Sequence, residues 1–439
     1  LETVLKPLTA IKHQHPRHFP IISLSSRLEY SSFIIHHLSF KYMSELAKKL
    51  IEKEKQERTG TLDLGNCGLT EWPDLRELYW LETLILSSEW WEFDLGKNNW
   101  TSFKTKNKGD KNQFKSSPTY ALPSGLIKLM AVELDISDMQ FLRNLTSLHY
   151  LDIRENPIVN IHFLANLTSL KTLNLWGNHI ADIHFLESLS SLQFLNLTFN
   201  EKAKIHFLKN LTNLQTLNLS SNEIADIRSL ENLTNLQFID LSFNTVADIQ
   251  FLANLSSLQH LKLFSNKIAD IRSLENLTNL QFLDLSYNQI ADIRFLEKLT
   301  SLQSLNLSTN EISDIRFLKN LTNLQKLDLS NNQITDIFPI LPLIEKGVLV
   351  TTGNYGDGIN LFGNPLTNPP PEIVEQGNAA ILEYFRQKAA TGAEPLLEAK
   401  LILLGDGRSG KTSLACRLLQ KPLPKEADRT EGVDIIIGD

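Results

Sequence analysis

Residues 405–412 read Gly405-Asp406-Gly407-Arg408-Ser409-Gly410-Lys411-Thr412, a full match to the phosphate-loop pattern GxxxxGK[ST]. The apolar run KLILL precedes it as a buried strand, and SLACRLLQ follows as a helix. Strand, glycine loop and helix are the context in which that pattern holds a nucleotide. Small residues let the backbone approach the phosphates, and its N–H groups converge on an anion at the helix start. Lys411 is the cation for the β- and γ-phosphates, and the Thr412 hydroxyl is a ligand for Mg²⁺.

The elements ahead of this loop are repeats. The opening LTSL, LSSL or LTNL first occurs at 145 and returns every 22 residues as far as 321, giving nine repeats. Asparagines keep the same period from Asn156 to Asn332. The motif LxxLxLxxNxIxDIxFLxN resembles the short leucine-rich repeat. In LxxLxL, a segment such as Leu280, Leu283 and Leu285 forms a short strand whose leucines enter a core shared by stacked repeats. The asparagine column is placed to bond backbone groups where the chain leaves the strand. Asp182, Asp226, Asp248, Asp270, Asp292, Asp314 and Asp336 precede a short convex helix and read as its caps, not as catalytic carboxylates. In one repeat Lys202 and Lys204 stand where the others carry an apolar residue and the aspartate. A lysine does not enter a core unpaired, so a distorted turn or a snorkelling side chain is expected there.

The strand positions that are not leucine form the concave face. Tyr150, Trp176, Phe194, Phe199, Phe238, Phe243, His260, Phe264, Phe282 and Tyr287 are assigned to it, beside Asn174, Asn196, Asn218, Asp240 and Asp284. Exposed rings among short polar groups have the character of a protein-binding surface. The bland alternative is a duplication relic, because Phe194, Phe238 and Phe282 recur every 44 residues.

The 439 residues are 42% hydrophobic and 21% charged, with a net charge of −7, which excludes a wholly disordered chain. The acidic balance carries no nucleic-acid footprint. Two cysteines, Cys67 and Cys416, exclude a disulfide scaffold and favour a reducing, cytoplasmic setting. No apolar run reaches membrane-spanning length. Residues 1–42 hold five of the eleven histidines and read as a disordered or spurious leader; Met43, with Ser44 as an N-cap, opens a helix. Residues 43–144 are assigned to that helix and to irregular first repeats, with Cys67 in the asparagine slot and an insertion at 89–120. The insertion is rich in lysine, with Trp100, Phe103 and Phe114 interleaved, and reads as a solvated surface loop. Nine regular repeats fill 145–342. A cap with a hairpin and a proline-rich stop follows at 343–371, then a linker helix at 372–395.

The order of these parts is specific. A 22-residue leucine-rich array, the linker GNPLTNPPPEIVEQGNAAILEYF, then LILLGDGRSGKTSL and RTEGVDI, resembles a bacterial Roco protein. That resemblance implies an α/β fold class: a leucine-rich-repeat solenoid, a horseshoe with a parallel concave sheet. The first β–P-loop–α–β elements of a Ras-like Roc GTPase domain follow it at 396–439. It implies Thr430, ahead of the strand VDIII, as the switch I threonine and a second Mg²⁺ contact, and GTP or GDP as the nucleotide. It further implies a COR dimerisation domain in the intact protein, which would make it a homodimer, with a DxxG and an NKxD-like segment beyond residue 439. A protein partner or the protein's own Roc–COR part is then the expected occupant of the concave face. Guanine specificity comes from the resemblance and not from these residues. Secreted internalins, free-standing repeat adaptors and immune-type signalling ATPases remain the alternatives, and only the Roco order accounts for repeats that precede a phosphate loop.

Overall fold

The computed structural model describes residues 43–94, 99–114, 116–118, 120–200, 204–351 and 357–391. The chain divides into two compact units, Leu1–Tyr384 and Phe385–Asp439. Described residues of the second unit are confined to the end of one helix.

The first unit opens with helix α1, Glu45–Glu57. Ser44 caps it by accepting the Ala47 N–H at 3.2 Å, as the sequence leads one to expect. Glu54 faces the repeats, where its carboxylate accepts from Gly60 N and Trp80 Nε1, both at 2.9 Å. The solenoid then runs through three-residue strands: β1 Thr61–Asp63, β2 Thr83–Ile85, and, past a separate hairpin of β3 Glu89–Asp94 and β4 Asn99–Lys104, β5 Lys128–Met130. Strands β6 Tyr150–Asp152, β7 Thr172–Asn174, β8 Phe194–Asn196, β9 Thr216–Asn218, β10 Phe238–Asp240, β11 His260–Lys262, β12 Phe282–Asp284, β13 Ser304–Asn306 and β14 Lys326–Asp328 follow at the repeat period. All pair in parallel in one sheet, closed by β16 Ile359–Asn360 and then β15 Val350–Thr351.

The constant period dictates this register. Leu173, Leu195, Leu217, Ile239 and Leu261 lie directly opposite one another on successive strands and are fully buried. Behind the sheet the asparagines form a continuous ladder. Asn222 donates through Nδ2 to Leu197 O and Leu219 O, both at 2.9 Å, and its Oδ1 accepts the Asn200 N–H at 3.0 Å. A side chain that both donates and accepts is what a strand-to-loop turn with unpaired carbonyls on one side and N–H groups on the other requires.

The convex elements are 3-10 turns of three to six residues, such as Arg228–Leu230 and Ile205–Asn210, and not α-helices. The aspartates sit one residue before the cap position and accept the N–H two residues on: Asp226 Oδ1 accepts from Arg228 N at 3.0 Å, and Asp270 from Arg272 N at 3.0 Å. Arginine side chains close back on the same carboxylates, as in the 2.7 Å contacts of Asp270 with Arg272 and Asp292 with Arg294. The hydrogen bonds from Arg228 hold Asp226 down at about 2. The result is a row of exposed carboxylates, several of them closed by arginine.

Two expectations are corrected. The insertion is not a surface loop throughout. Its β3 and β4 pair antiparallel, and the chain then re-enters the array, where Asn112 is buried, bonds Leu64 O and Leu86 O at 2.8 Å, and accepts the Leu69 N–H. Asn112 is therefore the ladder asparagine of the repeat that began at β2. Phe114, buried and stacked on Trp72 at 4.5 Å, takes the apolar slot two residues on. At the far end the expected hairpin is absent, because β15 and β16 are parallel. INLFGN at 359–364 instead completes one more repeat, with Asn364 bonding Leu329 O and Leu361 O. Lys202 lies outside the described residues. Lys204 is exposed and extended, and its 3-10 turn starts one residue early, at Ile205. Short helices follow: α2 Leu341–Glu345, α3 Pro371–Val374 and α4 Asn378–Thr391. Among the described residues no helix is long and apolar enough to cross a membrane.

Candidate functional site

The phosphate-loop residues 405–412 and the switch candidate Thr430 lie outside the described residues, so the site that can be built from geometry is the concave face of the solenoid.

Its ten expected aromatic residues do not form one exposed patch. Tyr150, Phe194, Phe238, His260 and Phe282 are the first residues of their strands and line up in one row across the sheet. Neighbouring side chains on a parallel sheet stand about 4.8 Å apart, and this row is correspondingly packed. Phe238 is only 3% exposed. Tyr150 is seated under the hairpin: its hydroxyl donates to Trp91 O at 3.4 Å, and Lys128 lies over its ring while pairing with Glu92 at 2.5 Å. Beyond Tyr150, Asp152 and Arg154 are buried together at 3.5 Å, and complete burial pushes the Asp152 carboxyl up. Trp176 covers Arg154, with 5.8 Å between guanidinium and ring.

The exposed rings belong to the loop just past the strands. Phe199, Phe243 and Tyr287 are 60%, 56% and 53% exposed, each immediately before its ladder asparagine. All three have φ near +53°, and Ser221, Ser265, Thr309 and Asn331 adopt the same left-handed backbone at that position of other repeats. This conformation is imposed by the repeat, and it costs a bulky side chain about 1–3 kcal/mol relative to a position where it fits. Gly177 occupies the same slot at φ +66° without that cost. Phe264 lies between Phe243 and Tyr287, edge-on to both at 4.6 Å and 5.2 Å.

Between the two aromatic rows runs a polar one. Asn174, Asn196, Asn218, Asp240 and Asp284 each accept the N–H two residues on, for example Ser242 N to Asp240 at 2.9 Å and Ser286 N to Asp284 at 3.0 Å. These groups shape the strand ends before they meet any partner. Burial pushes the Asp284 carboxyl upward.

His260 sits between Phe238 and Phe282, 6.3 Å and 6.4 Å from their centroids. Burial, reinforced by the Lys262 charge, pushes its imidazole down to about 4. The unfolded chain therefore binds this proton first. The neutral ring's contribution is complete above its ordinary value near 6.5 and is lost as pH falls toward 4. His260→Phe is expected to remove that part of the acid sensitivity, on the order of 1 kcal/mol for a partly solvated ring. Thermal melts at about pH 7 and about pH 4.5 check it. An identical acid-induced drop in parent and variant would refute it.

These features define a leucine-rich-repeat protein. Residues 168–210, 212–254, 256–298, 278–320 and 300–343 match the family described as Leucine Rich repeats (2 copies). An internalin from Listeria monocytogenes is 30% identical, with 66% of this chain and 86% of that one covered and a TM-score of 0.51. A leucine-rich-repeat protein of Leptospira interrogans shares the fold at 23% identity over 73% of this chain and 89% of its own, with a TM-score of 0.52. Two curated relatives carry the name Roc-COR-CHAT protease. One, from an unknown prokaryotic organism, is 40% identical over 84 residues; the other, from Runella zeae, is 53% identical over 45 residues. The matches span 17% and 10% of this chain and only 8% and 5% of those relatives' length.

Proposed function

We propose that the solenoid is the protein-interaction arm of a Roco-type GTPase that binds and hydrolyses GTP with Mg²⁺. The protein-binding half of this reading rests on Phe243 and Tyr287. Two large rings are held out toward solvent by a backbone conformation that asparagine or glycine adopts more cheaply, and beyond their edge contacts with Phe264 most of each ring is left to water. A partner that covers the rings takes that surface out of water. The nucleotide half rests on the strand–loop–helix sequence at 400–419 and on the Roco resemblance, and the names of the two short-range relatives support it. Because that name joins Roc and COR to a protease, the effector governed by the nucleotide state is proposed to be proteolytic, with COR supplying dimerisation.

A repeat adaptor without nucleotide turnover is the second reading, and the internalin likeness favours it over the array alone. Replacing both Phe243 and Tyr287 with Ser tests the shared interaction claim. The double variant is expected to lose binding to the rest of the intact protein, or to its partner, by more than tenfold, with only a small fall in melting temperature from the lost Phe264 contacts. Phe238 is unsuitable for this purpose because it is core. Equal affinity in parent and double variant would remove the concave loop rings from the interface.

A further inference from the structure

One repeat breaks the concave pattern at the last position of its strand. From β6 to β14, and again in β16, the last residue of each strand is Asp or Asn and accepts the N–H two residues on, the exception being Lys262 of β11. The same repeat carries His260 at the first strand position. Two residues past the strand it has Phe264, at a position that is Ser in five repeats and Arg154, Trp176, Thr198 or Phe362 in others. The repeat thus gives up a turn hydrogen bond to put a lysine on the face, and a broken local rule of this kind marks a site shaped by something other than stability.

The ammonium group is unusually placed. Lys262 Nζ lies 5.5 Å from the Phe238 centroid and 5.8 Å from that of Phe282, between the two rings. The other concave lysines at this sheet's ends are neutralised by their own chain, Lys128 by Glu92 and Lys326 by Asp357, each at 2.5 Å. Among the described residues Lys262 is in no salt bridge within 4 Å; its charge acts across the sheet on Asp284, opposing the upward push of burial on that carboxyl. Neutral His260 beneath it offers no competing charge. On either side Asp240 and Asp284 commit one oxygen, Oδ1, to backbone and, in Asp284, to the Ser286 hydroxyl. The row therefore presents negative, positive and negative charge between two apolar edges.

Resting on the reading of this face as a protein-binding surface, we infer that Lys262 is its central contact. It takes a single carboxylate from a protein segment in which basic side chains flank that acid and apolar side chains lie along both edges. The flanking aspartates repel a continuous polyanion, which sets a nucleic acid or an acidic lipid surface aside. The two ring faces attract the ammonium and hold it in place for an incoming carboxylate.

The test uses the full 439-residue chain as bait for a phage-displayed library of random peptides, with recovered clones re-measured on Lys262→Asn and Lys262→Gln. Expected clones carry an acidic residue with basic neighbours, and both variants weaken them at least tenfold. Lys262→Asn is also expected to melt no lower than the parent, because asparagine restores the missing acceptor for Phe264 N; Lys262→Gln keeps the stem over the rings and controls for packing. Clones that bind both variants as well as the parent, or that lack the acid, overturn the inference, as does a library that yields no binder. Clones lost on the Phe243→Ser, Tyr287→Ser double variant but retained on both Lys262 variants would keep the protein-binding face while removing Lys262 from it. A fall in the melting temperature of Lys262→Asn would instead assign the lysine a structural role.

Discussion

Asn222→Ala will destabilise the solenoid by about 3 kcal/mol. The Asn200 N–H loses its acceptor, and the carbonyls of Leu197, Leu219 and Ser220 each lose a donor. All of this happens in a buried ladder where water cannot replace the missing side chain. An unsatisfied buried group costs roughly 1–3 kcal/mol, and sharing of the carbonyls with neighbouring asparagines keeps the sum near the top of that range for one group. Because each repeat contacts mainly its neighbours, the loss also weakens coupling along the array, and the urea transition should broaden as well as move. Asn213→Ala is the control. Asn213 also recurs at the repeat period and also donates to a backbone carbonyl, Ser190 O at 2.9 Å, but it is exposed. Its loss should stay within about 0.5 kcal/mol. Equal effects at the two positions would mean that the ladder's burial adds nothing.

Lys411→Ala is expected to lower the GTP affinity of the intact protein about 100-fold, as measured by calorimetry. The proposed loop has one lysine for the β- and γ-phosphates. A charge-assisted hydrogen bond is worth roughly 1.5–3 kcal/mol, and each step of about 1.4 kcal/mol is a factor of ten. Thr430→Ala should spare GDP and weaken the GTP-bound state, since a switch threonine senses the γ-phosphate through Mg²⁺. A Lys411→Ala protein that binds GTP like the parent would sink the nucleotide half of the proposal while leaving the concave face untouched.

The period of 22 residues was enough, by itself, to specify a parallel leucine-rich solenoid. A constant spacing stacks leucine on leucine and asparagine on asparagine, and any other register would expose the whole set. What the linear order hid were the places where a slot is filled from elsewhere. Asn112 completes a repeat begun before the hairpin, and INLFGN at 359–364 forms a repeat behind an interruption, so neither sits at the period. Residue type alone also could not separate the two asparagine columns at Asn222 and Asn213, which share period and chemistry and differ only in burial. The same holds for the aromatic residues. Phe238 and Phe243 lie five positions apart and both read as concave, yet sheet packing buries the first. The left-handed turn ahead of the ladder asparagine turns the second out to solvent. Burial and side-chain direction depend on what the neighbouring repeats place alongside, and only the folded stack of repeats decides that.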